Sequence, residues 1–269
     1  MFTLLRKIRK ALIESGSTRK YLVYAIGEIL LVVIGILIAL QINNWNQDRL
    51  DKAYEMQMLS EIYHGLKADS TRLTDWVLPR IQRKMSGVDN MARHVYAGEP
   101  ISLDTLRRDY AWMWQGMSPT INFGPYEALK SNGLEKIKDN TIRFWLVDVF
   151  ESVFPKQLNT IDKVHDLYDL QNSQMDQQLW RWSIIMGADG ELEERAFPRS
   201  TDILNDESLA AVISNMRHLS NVQSHRVGTL IEGATLTLQR LREYLAMHNF
   251  DPGQNLTGSA QGVRGLLRE

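Results

Sequence analysis

The sequence predicts an all-α protein: one N-terminal transmembrane helix continuing into an extracytoplasmic helical bundle. Three observations predict it. Tyr21–Leu40, YLVYAIGEILLVVIGILIAL, is an apolar run with one charged residue, Glu28. As a helix it rises about 30 Å, the thickness of a bilayer's hydrocarbon core. Beyond it, apolar residues recur at threes and fours in segment after segment. No stretch with a strand's period of two competes with that spacing.

Charge orients the span. Residues 1–20 carry Arg6, Lys7, Arg9, Lys10, Arg19 and Lys20 against Glu14, a net +5, and residues 41–269 sum to −5. The basic flank is expected in the cytoplasm and everything after Leu40 outside. The expected location is therefore a bacterial inner membrane, crossed once, with the bulk of the chain periplasmic. The apolar run is longer than a signal peptide's and lacks a small-x-small cleavage site, so it reads as an uncleaved signal anchor. Four parts follow: a basic amphipathic segment (1–20), the membrane helix (21–42), a periplasmic bundle (43–250) and a flexible tail (251–269) rich in glycine and polar residues.

In residues 1–14, Phe2, Leu4, Leu5, Ile8, Leu12 and Ile13 lie beside the basic pairs. That pattern suits a helix lying on an anionic lipid surface, or an ordinary basic flank. Tyr21, Tyr24 and Trp45 suit the two interfacial belts. After the span, Ala53, Met56, Leu59, Ile62, Tyr63 and Leu66 keep the helical spacing as far as Pro79. A second helix covers Leu78–Val95 and stops at Gly98-Glu99-Pro100; a shorter one lies near Leu103–Trp114. Pro125 opens a helix over Tyr126–Asn132 that Gly133 closes. Asn140 can cap the next, which Pro155 should kink or end. Periodicity resumes at Leu158 and reaches Trp182; residues 187–198 read as a polar loop. The last helix starts near Asn205-Asp206-Glu207 and carries a seam of apolar residues with a polar centre at Ser220 and Gln223.

The run YAIGEILLVVIGILIALQINNWN at Tyr24–Asn46 resembles a bacterial family of single-pass membrane proteins known only as a domain of unknown function. The basic LLRKIRK head, YEALKSNG at Tyr126–Gly133 and Leu204-Asn205-Asp206 are similar to further elements of that family. Residues Asp169 to Thr201 have no counterpart. The resemblance implies the topology and supplies no activity, cofactor or catalytic residue.

Within the span, Glu28, Val32, Gly35, Ala39 and Ile42 fall on one helix face. Gly35-x-x-x-Ala39 permits close helix contact, and a carboxylate within hydrocarbon is costly unless protonated, paired or turned to a partner. The stripe reads as a docking face; the bland alternative is that Glu28 snorkels towards water. Glu61-x-x-His64 and Asp162-x-x-His165, with Glu232 and Glu243, are the residue types that build di-metal sites in helical bundles. One pair starts with Asp and the rest have no fixed relation to it, so both pairs read as solvated faces. His218 and His225 share a face but lack a third donor. No nucleophile elbow, phosphate loop or catalytic triad is legible, so no catalytic, cofactor-binding or metal-binding residue is expected. Trp112, Met113, Trp114 and Met117, and Trp180-x-Trp182 with Ile184, Ile185 and Met186, form aromatic-rich patches that read as partner contact or as core. The expected function is a non-enzymatic accessory or scaffolding subunit that docks onto a larger inner-membrane complex, for example respiratory or photosynthetic. Its partners would be membrane lipids and other transmembrane subunits; the acidic ectodomain argues against nucleic acid. The alternative is a periplasmic ligand-sensing bundle acting through a cytoplasmic partner. The absence of cysteine excludes disulfides and thiolate chemistry.

Overall fold

The computed structural model describes residues 18–187 and 189–252, with the backbone alone at 18–21 and 24. Helix α1, Thr18–Arg72, contains the whole apolar span. Its most apolar stretch has a mean hydropathy of 2.6, lies wholly unburied, and is long and apolar enough to cross a membrane. The chain divides into two compact units inside this helix, between Glu55 and Met56. The basic residues Arg6, Lys7, Arg9 and Lys10 and nearly all of the predicted tail lie outside the described residues.

In the second unit the helical spacing becomes burial. Met56, Leu59, Ile62 and Leu66 are all buried, one face of α1 turned to a core. Pro79 does not break the helix. Leu73–Val77 form a π-helical turn, in which the Leu78 amide donates to the Leu73 carbonyl five residues back, and α2 (Leu78–Ala97) follows directly. A proline ring collides with the carbonyl four residues before it and offers no N–H. One extra residue in the turn moves that carbonyl away and lets the helix continue. The same device precedes Pro155. Asp148–Val153 are π-helical, the Phe154 amide reaches the Val149 carbonyl, and α6 runs Phe154–Leu179. The expected breaks at both prolines are therefore wide turns.

Local chemistry sets the remaining ends. Gly98, at φ +67°, closes α2 in the left-handed conformation. The Ser102 hydroxyl accepts from the Thr105 amide and starts α3 (Leu103–Met113). Pro125 sits in the first turn of α4 (Gly124–Asn132), and Gly133 follows it. Asp139, rather than the expected Asn140, caps α5 (Asn140–Val147) by accepting from the amides of Thr141 and Ile142. Asp206 caps α7 (Glu207–Met247) through the Ser208 amide.

The stretch after Leu179 differs from expectation. Trp180–Met186 (β1) and Leu192–Pro198 (β2) form an antiparallel hairpin, where the sequence suggests the end of a helix and a polar loop. Trp180, Trp182, Ile184 and Met186 share one face of β1, with Arg181, Ser183 and Ile185 on the other; the alternation is short, ends at Ile184-Ile185-Met186, and its apolar face is buried only at Trp180. The strand's tryptophan and β-branched content is what favours the extended chain. The hairpin's base joins the bundle core: Trp180 packs on Tyr110 with ring centroids 4.2 Å apart. Around them gather Val88 and Met91 of α2, Met113 of α3 and Leu209, Ile213 and Met216 of α7. A second aromatic group stacks Tyr126 on Phe150 at 4.7 Å, with Phe154 edge-on.

The segment between α3 and α4 is tied down by one buried carboxylate. Asp69 accepts from the Asn122 amide at 2.7 Å and from Arg72 at 2.6 Å, and Arg72 also reaches the Thr120 carbonyl at 2.7 Å. Asp69→Ala leaves that amide without its partner. We expect a loss of about 2 kcal/mol and faster hydrogen exchange at Asn122 than in the wild-type chain.

Candidate functional site

Two features stand out: the unburied span and a polar cavity inside the bundle. On α1 every described side chain from Ile26 to Leu50 is exposed, including Glu28, Val32, Ala39 and Ile42. A Cβ added at Gly35 would meet nothing within 4 Å. Trp45 is likewise exposed. Arg19, Lys20, Tyr21 and Tyr24 lie on the same helix, with side chains outside the description.

The cavity, of about 170 Å³, lies among α2, α6, α7 and residues 114–117. Lys84 reaches it from α2. The residue is 5 % exposed, and its ammonium donates to the Gln223 Oε1 of α7 at a long 3.4 Å. Burial pulls this lysine's pKa down from 10.5 to about 8. Asn172 of α6 is 1 % exposed; its Oδ1 accepts from Asn215 at 3.0 Å, and its Nδ2 is buried without a hydrogen-bond partner. His165 and Asp169, one turn apart on α6, also line the cavity and are solvent-exposed, so they mark its mouth. Ser220 and Gln223, the polar centre expected in the last helix, are both buried, and Ser220 donates to the Met216 carbonyl.

Sequence reasoning does not single out Lys84 or Asn172. A signal exists in the spacing: Lys84 falls on the stripe Ile81, Val88, Met91, and Asn172 on the stripe Tyr168, Met175. A polar residue on an apolar stripe is the mark of a buried one.

The first aromatic patch is corrected. Met113 is fully buried in the core and cannot contact a partner; Trp112, Trp114 and Met117 are half-buried. Trp114 packs on the core cluster, Trp112 lies under Arg108 at 5.1 Å, and Met117 lines the cavity. The second patch splits: Trp180 is core, and Trp182, Ile184 and Met186 face solvent. The histidines scatter. His64 Nε2 meets the Pro252 carbonyl at 2.6 Å, and His218 is edge-on to Tyr168. Among the described residues no three His, Cys, Asp or Glu gather in a way that could hold a metal ion.

The YEALKSNG element builds a structural triad. Tyr126 donates to Glu151 at 2.5 Å, and Lys130, one turn on, pairs with the same carboxylate at 3.0 Å. Burial and then that hydrogen bond push the Tyr126 phenol up; the bonds from Tyr126 and Lys130 pull the Glu151 carboxyl down. A wider groove of about 730 Å³ lies beside the first π turn, lined by His64, Lys67, Arg72, Trp76 and Arg80 among others.

Residues 28–101 match a family of unknown function, DUF6090. That stretch holds α1 from Glu28 onwards together with α2, and ends before α3. No curated protein matches the chain. No solved structure matches it either.

Proposed function

We propose that the protein is a non-enzymatic accessory subunit held in the bacterial inner membrane by α1, with its bundle on the periplasmic side. It docks onto a larger membrane complex, respiratory or photosynthetic for example, through the face that carries Glu28, Val32, Gly35, Ala39 and Ile42. The observation that carries the reading is the coincidence, on one unburied face of an apolar helix, of its carboxylate and its small residues. A lipid-facing helix gains nothing from Glu28. A helix packed against another can hydrogen-bond it and approach closely at Gly35 and Ala39. The remaining surface of the span contacts lipid.

Gentle solubilisation followed by native electrophoresis tests this. The wild-type chain should migrate within a larger assembly. Glu28→Leu should still insert yet run alone, because an apolar residue lowers the insertion cost while removing the hydrogen bond. A wild-type chain that runs as a monomer, or a Glu28→Leu chain that keeps its partner, overturns the reading.

The polar cavity favours a second reading, a ligand-sensing bundle. In that case residues 1–20 would bind a cytoplasmic partner that carries the output. Loss of those residues without a phenotype would count against it.

A further inference from the structure

We propose that the cavity between α2, α6 and α7 binds a short-chain monocarboxylate of two to four carbons, its carboxylate held by Lys84 and Asn172. The site is independent of the docking face on α1 and stands whether or not Glu28 has a partner.

Two features of the cavity argue for it. An ammonium has three N–H donors, and Lys84 spends one on a bond of 3.4 Å, beyond the usual range for N–H···O. Asn172 has its carbonyl engaged by Asn215, so what it offers the cavity is its buried, unpartnered amide N–H group. Buried donors left unpaired are costly, and native chains keep them where something supplies the acceptor. A carboxylate has two oxygens and one negative charge, which matches one ammonium and one amide. Charge-assisted bonds of that kind are about twice as strong as neutral ones.

Size and lining narrow the class. The cavity's 170 Å³ equals about five or six waters at liquid density. Met117, Met216 and Leu219 form its apolar side, suited to a short alkyl chain rather than to a second polar group. Asp169 at the mouth disfavours a dianion such as phosphate, whose second charge the single lysine would leave uncompensated. His165 lines that mouth too, one turn away.

The test uses the full chain in neutral detergent micelles at pH 7. Acetate, propionate and butyrate are titrated by calorimetry and by thermal unfolding, with inorganic phosphate and chloride as comparators. At least one of the three acids should bind saturably and raise the unfolding midpoint, with phosphate and chloride far weaker. Lys84→Met should weaken that binding about tenfold or more while keeping a cooperative transition. Asn172→Asp is nearly isosteric and keeps the acceptor for Asn215, but replaces the donor by a negative charge. It should also abolish binding, which protects the test should the lysine variant fold poorly. The proposal is overturned if none of the three acids binds, if phosphate or chloride binds as well as they do, or if either folded variant binds like wild type.

Discussion

Gly87→Val is expected to be among the most destabilising single changes in the bundle, costing about 3 kcal/mol or more by overpacking. A Cβ built at Gly87 would lie 2.6 Å from the Asp109 carbonyl oxygen, 2.9 Å from the Met113 amide nitrogen and 2.9 Å from the Trp112 Cβ. Two of those three atoms are backbone of α3, so no rotamer change relieves the contact; α2 and α3 must move apart. Separation there opens the cluster that Val88, Met91, Leu106, Tyr110 and Met113 share with Trp180 and α7. Alanine should be damaging too, its better helix propensity of about 1 kcal/mol recovering part of the loss. Gly228 supplies the control. It is an exposed glycine of α7, and a Cβ added there would meet nothing within 4 Å, so Gly228→Ala should be neutral or stabilising by up to about 1 kcal/mol. Chemical denaturation of the two alanine variants and Gly87→Val in micelles checks all three. Equal effects at positions 87 and 228 would remove the close-approach explanation.

Legibility in the sequence follows how local the physics is. The membrane-length span, the helix starts near 140 and 206 and the Gly98 and Gly133 stops rest on interactions within a few residues and appear where spacing and residue type place them, although Asp139 rather than Asn140 supplies the cap of α5. The seam of α7, with Ser220 and Gln223 inside it, is legible because its periodicity runs over many turns. The two prolines read as breaks for an energetic reason. The clash at a proline has two solutions, a break or a π turn, and packing of the flanking helices selects the second. The hairpin is hard to read because its period-two signal is short: Trp180-Arg181-Trp182-Ser183-Ile184 alternates for five residues at the end of a long helical pattern, and its partner strand Leu192–Pro198, LEERAFP, does not alternate. Lys84 shows the limit most clearly. In IQRKMSGV it stands beside Arg83, and of these two cations Arg83 is solvent-exposed and Lys84 buried. What buries Lys84 is the approach of α6 and α7, distant in sequence; locally only its place on the stripe Ile81, Val88, Met91 reports it, and that stripe does not say what faces the lysine.

Lys84→Met should stabilise the unliganded protein by about 1–2 kcal/mol at pH 7, and it should change the shape of the pH profile. Burial lowers the lysine from 10.5 to about 8. Each pKa unit corresponds to 1.36 kcal/mol, so the buried ammonium costs about 3 kcal/mol below pH 8. Methionine removes that cost, keeps the unbranched shape, and gives up the weak bond to Gln223, worth about 1 kcal/mol. The sign of the pH dependence follows from proton counts. Between pH 8 and 10.5 the unfolded chain holds a proton that the folded chain has released, so wild-type stability should rise through that window. Tyr110 and Tyr126 act in the opposite sense. Burial, with Asp176 and Glu151 respectively as hydrogen-bond acceptors, raises both phenols, so their contribution is complete below pH 10 and fades above it. The rise due to Lys84 is therefore read between pH 7 and 9.5, by denaturant titration of wild type against Lys84→Met; a variant that shows the same rise would assign it to another group. Ligand then couples this measurement to the cavity. A carboxylate bound against Lys84 favours the charged ammonium and restores its pKa towards the ordinary value. A saturating short-chain acid should accordingly flatten the wild-type rise and leave the methionine variant untouched. The same lysine that weakens the empty bundle would thus be the group through which a bound anion strengthens it.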